Sequence, residues 1–153
     1  MPDKHAVLSA SSSHRWLACP PSALLCAKVG DTTSEFAMQG TDAHSLCEHK
    51  LKKSFGQKSK DPTEDLQYFD EEMADCSDMY AQYVMEQLTA AKEKCKDPIV
   101  LIEQHLDFSK WVPQGFGTGD CVIVADETLQ VIDFKYGVGI LVDAEKNPQM
   151  MCY

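Results

Sequence analysis

The stretch Gly117-Thr-Gly-Asp-Cys-Val-Ile-Val-Ala-Asp-Glu-Thr-Leu-Gln-Val-Ile-Asp-Phe-Lys-Tyr136 decides how this chain is expected to fold. Two apolar, β-branched runs, Cys121 to Ala125 and Leu129 to Phe134, flank the turn-prone Asp126, Glu127 and Thr128. Runs of this kind about a short polar break predict a β-hairpin. No Asn-Gly or Asp-Gly pair is present to fix the turn type. With Asp126-Glu127 as the loop, Ala125 faces Thr128 and Asp120 faces Asp133. Opposed residues share one face of the ladder, with Cβ atoms roughly 5 Å apart. Lys135, two residues beyond Asp133, points the same way. Moving the turn centre by one residue sets Asp120 opposite Lys135 and keeps the face, whereas a three-residue loop breaks the parity.

Two carboxylates and a lysine therefore converge, beside Val122, Val124, Ile132 and Phe134. Opposed like charges destabilise a sheet. A hard divalent cation neutralises them, and Mg²⁺ characteristically takes one or two carboxylates together with waters and a substrate phosphate. A lysine beside such a site can orient a water or stabilise charge developing on phosphate. The same spacing also suits a surface hairpin whose polar face is simply solvated.

The 153 residues suit a single domain, 1–153, with a sizeable core. With 44% hydrophobic and 25% charged residues the balance is that of an ordinary globular chain. A net charge of −10 argues against a protein that coats nucleic acid passively. It argues less against a metal-dependent nuclease, whose clustered carboxylates raise the acidic count. Lys50, Lys52, Lys53, Lys58 and Lys60 form one basic run that could make a local basic surface. Seven scattered cysteines show no zinc spacing, so reduced thiols in a cytoplasm are expected. No apolar run approaches a membrane span.

The remaining elements follow from periodicity and breakers. Residues 1–8 read as a lead-in. Ser9 to Ser13 can cap a short helix from His14 to Ala18, which Cys19-Pro20-Pro21 stops. Pro21 opens a second helix through Lys28, and Gly30 to Thr33 reads as a loop. Helical spacing predicts a helix over Thr41 to Ser54, with Gly40 near its start or in a kink. His44 and Glu48 share one of its faces. Residues 55–63 read as a loop. The longest helical pattern runs from Asp65 to Lys94, with Phe69, Met73, Cys76, Tyr80, Tyr83, Val84 and Leu88 as its core stripe. A strand from Ile99 to Phe108 carries Glu103 and His105, and Trp111 to Gly117 loops into the hairpin. Tyr136 to Gly139 is a second connection, and a helix is expected from Ala144 onward with Gln149 and Tyr153 on one face. The chain stops at Tyr153 inside that helix, so truncation at the C terminus is expected. The expected class is α/β or α+β, a small central mixed sheet flanked by helices.

These residues together resemble the PD-(D/E)XK nuclease superfamily and its RecB-like exonuclease branch. Gly117-Thr-Gly-Asp120 resembles the GxxD element, and Asp133-Phe-Lys135 the (D/E)xK element. Gln149-Met-Met-Cys-Tyr153 resembles the QxxxY helix. Gly40-Thr-Asp-Ala-His44-Ser-Leu-Cys-Glu48 resembles GxxxHxxxE, and Ser11 to Cys19-Pro20 resembles the SxxxxxxxCP opening segment. Each motif alone is weak; the order and spacing carry the likeness, which extends from about Ser9 to Tyr153 and is strongest to a group of phage and prophage proteins.

The resemblance implies a restriction-endonuclease-like core and a metal-dependent DNA nuclease, an exonuclease rather than a sequence-specific cutter, in phage recombination, repair or DNA processing. It implies Mg²⁺, with Mn²⁺ as a substitute, held by Asp120, Asp133, His44 and the backbone carbonyl of Phe134. Lys135 is then the catalytic lysine, while Gln149 and Tyr153 position DNA or support the site. Glu48 and Glu103 are second-tier candidates, and Lys52 is an i,i+4 partner for Glu48. Some relatives use the cysteine before proline to hold an iron–sulfur cluster with three further cysteines. This chain shows no such trio, so either those cysteines lie beyond Tyr153 or Cys19 is a small core residue; the latter is expected, and no cluster is expected in this chain. DNA and a recombination or helicase partner are the expected partners, in the cytoplasm of a bacterial or phage-infected cell. Two other readings stay open: a catalytically weak nucleic-acid-binding or phage accessory module keeping the fold, and a structural interaction protein.

Overall fold

The structure, a computed structural model, describes residues 6–29, 34–138 and 141–153. The loop expected at Gly30 to Thr33, the first five residues of the lead-in and the end of the connection after Tyr136 lie outside the described residues. By contact the chain divides into two compact units, one of Met1–Thr32, His105–Gly119 and Ile140–Tyr153, the other of Thr33–Gln104 and Asp120–Gly139. Among the described residues the elements are five α-helices, two short 3₁₀ turns and one three-stranded antiparallel sheet, in the strand order β1-β2-β3. The expected α+β content is present. The sheet is antiparallel rather than mixed among the described residues, because the hairpin supplies β2 and β3 and β1 pairs on the other side of β2. No helix among them is long and apolar enough to cross a membrane.

In the second unit, α3 (Glu35–Ser54) begins six residues before the expected start. Ser34 sets that start: its hydroxyl accepts the Ala37 N–H at 3.2 Å. The helix runs through Gly40 without a break, at the roughly 1 kcal/mol that glycine costs in a helix. Helix α4 (Glu71–Lys94) begins later than expected, because Asp70 caps it by accepting the Met73 N–H at 2.7 Å. Phe69 therefore falls outside the helix and is exposed, as is Tyr83, which sits off the buried face. The true stripe is Met73, Ser77, Tyr80, Ala81, Val84, Leu88 and Ala91. Its Tyr80, Val84, Leu88 and Ala91 pack with Leu51 and Cys47 of α3 and with Cys121, Ile123 and Ala125 of β2, while Met73 packs with Ala43 and Leu46 of α3.

Strand β1 spans Ile99–Asp107, β2 Phe116–Ala125 and β3 Thr128–Ile132. The register pairs Ala125 with Thr128 and Cys121 with Ile132, which is the two-residue loop read from the sequence. Asp126 takes φ +47°, so the turn uses a left-handed residue where glycine would be easier.

In the first unit, α1 (Ser13–Ala18), α2 (Pro21–Val29) and α5 (Pro148–Cys152) match the expected helices within a few residues. Asn147 caps α5 by accepting the Gln149 N–H at 2.9 Å, and Pro148 occupies its first turn. Ser9 accepts the Ser12 N–H at 3.3 Å and caps the 3₁₀ turn before α1. Cys19 is exposed, which overturns its expected place in a core: it lies just past the end of α1, as that helix's C-cap.

Gly117 is where backbone must approach closely. A Cβ there would lie 2.8 Å from Tyr153 Cε1 and 2.9 Å from the Cβ of Ala10. Gly117→Val is expected to destabilise the protein by about 1–3 kcal/mol, the usual cost of overpacking. Denaturant melts read this as a lower midpoint at unchanged slope.

Candidate metal and phosphate site

The second unit gathers most of the chemistry. Helix α3 projects His44 toward the hairpin, where its Nδ1 lies 3.3 Å from Asp120 Oδ1. The other oxygen of Asp120 accepts the backbone N–H of Phe134 at 2.6 Å. That bond shows why β3 ends at Ile132: past the last ladder pair, a side chain of β2 takes over the backbone donor of the opposite strand. Asp133 is 6% exposed at its side chain and holds Lys135 Nζ at 2.5 Å. Lys135 is itself half-exposed, so its ammonium stands between a buried carboxylate and solvent. The Phe134 ring meets His44 edge-on at 5.7 Å and packs on Tyr80 at 5.3 Å. The sequence-predicted His44, Asp120, Asp133, Phe134 and Lys135 are thus brought together, although α3 is distant from the hairpin in sequence.

Charge and burial couple these groups. Burial opposes the charged form of His44, but the hydrogen bond and charge of Asp120, with Asp133 behind them, hold its titration above the usual value. Burial raises Asp133 above the usual carboxylate range, and the charge of Asp120 adds to it against the pull of Lys135. The Cys47 thiol beneath is pushed up to about 12, first by burial and then by Asp120. It is therefore an inert packing group.

The two second-tier acids differ. Glu48 pairs with Lys52, four residues on. Glu103 is pushed up to about 7 by burial, then by the charges of Asp120 and Glu48. Its backbone has φ +52° within β1, a conformation that costs a non-glycine residue of order 1–2 kcal/mol. In the unfolded chain its carboxyl titrates near 4.5. The folded state thus binds the proton more tightly, and stability is lost as pH rises from the unfolded toward the folded value. Glu103→Gln in EDTA is expected to leave the melting temperature unchanged at pH 4.5. At pH 8 it should raise stability by about 1–2 kcal/mol, after discounting for partial solvent screening.

A divalent cation is what the chemistry of this donor set fits: two carboxylates, one largely buried, an imidazole and an adjacent backbone carbonyl. Tyr80 adds a second sign of an incomplete site. It is 7% exposed and its hydroxyl has no hydrogen-bond partner among the described residues. As they stand, Asp120 contacts His44 and Asp133 pairs with Lys135 instead. Among the described residues no group of three or more His, Cys, Asp or Glu side chains already converges on one point that could hold an ion. A cation drawing on Asp120 Oδ1 would compete with its contact to His44.

Gln149 and Tyr153 belong to the first unit. The Gln149 amide donates to the Tyr153 hydroxyl at 3.3 Å, and that hydroxyl donates to the Thr118 carbonyl at 2.9 Å. Within this unit the tyrosine thus buttresses the strand of the Gly117-Thr-Gly-Asp120 element. Three lysines of the run are held in ion pairs, Lys50 with Asp78, Lys52 with Glu48 and Lys60 with Asp65, while Lys53 and Lys58 are exposed. Tyr80, read from the sequence as part of the core stripe, is buried there against the Phe134 ring.

A family model described as "Protein of unknown function (DUF2800)" matches residues 5–153. No solved structure matches the chain.

Proposed function

The chain belongs to the DUF2800 family, and we propose that it is a metal-dependent deoxyribonuclease of the PD-(D/E)XK type, acting on DNA ends. One observation carries the reading: an imidazole from α3 and the Asp120, Asp133 and Lys135 side chains of the hairpin share one site, with contacts of 3.3 Å and 2.5 Å. The restriction-endonuclease-like core is part of the same proposal, supported by an antiparallel hairpin packed on long helices.

Asp120, Asp133, His44 and the Phe134 carbonyl are the groups that would hold Mg²⁺ or Mn²⁺. Such a cation supplies positive charge at the scissile phosphate and acidifies water. The Phe134 N–H fixes the Asp120 carboxylate through one oxygen, and the other, now against His44, is the one a cation would draw on. Asp133 holds the Lys135 ammonium at the edge of solvent, where a phosphate oxygen or an attacking water can accept from it. Gln149 and Tyr153 hold the Thr118 carbonyl within the first unit. The partners on this reading are DNA and a recombination or helicase assembly, in the cytoplasm of a bacterial or phage-infected cell.

A second reading is a DNA-binding accessory module that keeps the fold without the chemistry. It is favoured by the lack, among the described residues, of three donors already converged for an ion. Incubating the protein with end-labelled linear DNA in Mg²⁺ and in Mn²⁺ separates the two. Nucleotides released progressively from the ends, stopped by EDTA, are expected. Intact single- and double-stranded DNA in both cations would leave the accessory module.

A further inference from the structure

A cavity of about 210 Å³ opens beside Lys135, lined by Gln39, Glu72, Cys76, Phe134, Lys135 and Tyr136, all within the second unit. It is smaller than the roughly 300–1,000 Å³ of pockets for drug-sized ligands, and on the scale of one flat heterocycle. The Phe134 and Tyr136 rings, both in its lining, lie 6.2 Å apart and within 19° of parallel. The Tyr136 hydroxyl reaches Asp70 Oδ1 at 3.4 Å, which ties that ring to the start of α4. At the polar edge, Glu72 can only accept hydrogen bonds when ionised, and Gln39 can both donate and accept.

We propose that this cavity takes a single unpaired nucleobase, stacked on Tyr136, while the adjoining phosphodiester is presented to Lys135. The proposal rests on the nuclease reading for the phosphate and deepens it for the substrate: a strand with an unpaired base, not intact duplex. Three features select that occupant. Stacking on an aromatic ring is the sequence-tolerant way to hold a base, since every base has a π-face. Glu72 repels a second phosphate but accepts from the exocyclic amino or ring N–H groups of a base. The volume leaves no room for a base pair.

The test uses linear duplexes that are blunt or carry a short single-stranded tail, with 2-aminopurine as the terminal base. Binding is followed in Ca²⁺ and cleavage in Mg²⁺, for the native protein, Tyr136→Phe and Tyr136→Leu. The leucine variant keeps apolar packing and removes the flat face, and thermal melts confirm that it is folded. The expected result is strong quenching of 2-aminopurine on tailed DNA only. Tyr136→Phe keeps most of it and Tyr136→Leu loses it, with KM for tailed DNA raised roughly tenfold or more and kcat moving less. Equal quenching by the leucine variant, or equal quenching of blunt and tailed ends, overturns the proposal. The two readings fail separately. Cleavage with a KM indifferent to residue 136 sinks the base pocket and leaves the nuclease. Tyr136-dependent quenching without cleavage in any cation sinks the nuclease and leaves the pocket.

Discussion

Asp133→Ala is expected to lower Mg²⁺-dependent hydrolysis of linear DNA by about a thousandfold, the scale at which removal of a single preorganised electrostatic group acts in an excluded site. The effect is large because the residue does two things. On the proposed reading its largely buried carboxylate would be one of the oxygen donors, and it holds Lys135 at 2.5 Å. Without it the ammonium loses its anchor and, half-exposed, wanders into solvent. Lys135→Ala separates the roles: hydrolysis falls comparably, but the carboxylates remain and cation binding persists. Asp133→Asn keeps the shape and serves as the control for folding. Single-turnover rates on end-labelled DNA make the measurement, and native rates in Asp133→Ala would remove Asp133 from the chemistry.

The second large effect concerns the scaffold. Leu51→Ala is expected to cost about 2–5 kcal/mol, the range for emptying a leucine site in a packed core. Leu51 is fully buried against a cluster that includes Val84, Cys121 and Ile123. It lies two turns along α3 from His44, so the residue that anchors the helix also aims the imidazole. At about 2–4 °C per kcal/mol for a chain of this size, the melting temperature should drop by roughly 4–20 °C. Met79→Ala, on the exposed side of α4, should stay within about 0.5 kcal/mol. Equal losses in both variants would show that the α3–hairpin cluster is not where stability resides.

The hairpin was legible because parity is robust: with a two-residue loop, alternation alone sets Asp120 and Asp133 on one side. What alternation could not reveal is that β3 ends at Ile132, since the donor of Phe134 goes to the Asp120 side chain and not to a strand partner. Helix starts were misjudged at both long helices for one reason. Ser34 and Asp70 are single capping side chains, and their effect outweighs the apolar periodicity that follows them. The approach of His44 to the hairpin was legible only through the GxxxHxxxE resemblance, because no local pattern encodes a contact between α3 and β2. Cys19 was misplaced because cysteine is usually buried, a compositional tendency that says nothing about a residue just past a helix end. Tyr136 escaped notice because its meaning depends on the walls around it, which α3, α4 and the segment after β3 build jointly.

The central claim is that His44, Asp120 and Asp133 together accept a divalent cation. Thermal unfolding during a Mn²⁺ titration tests it most directly, because an ion bound by the native state alone stabilises it by about 2.7 kcal/mol at a hundred times its dissociation constant. The melting temperature should rise by roughly 5–10 °C toward saturation. The Asp120→Asn/Asp133→Asn double variant should show no rise. A native protein indifferent to Mn²⁺, or a double variant that gains as much as the native one, would contradict the claim.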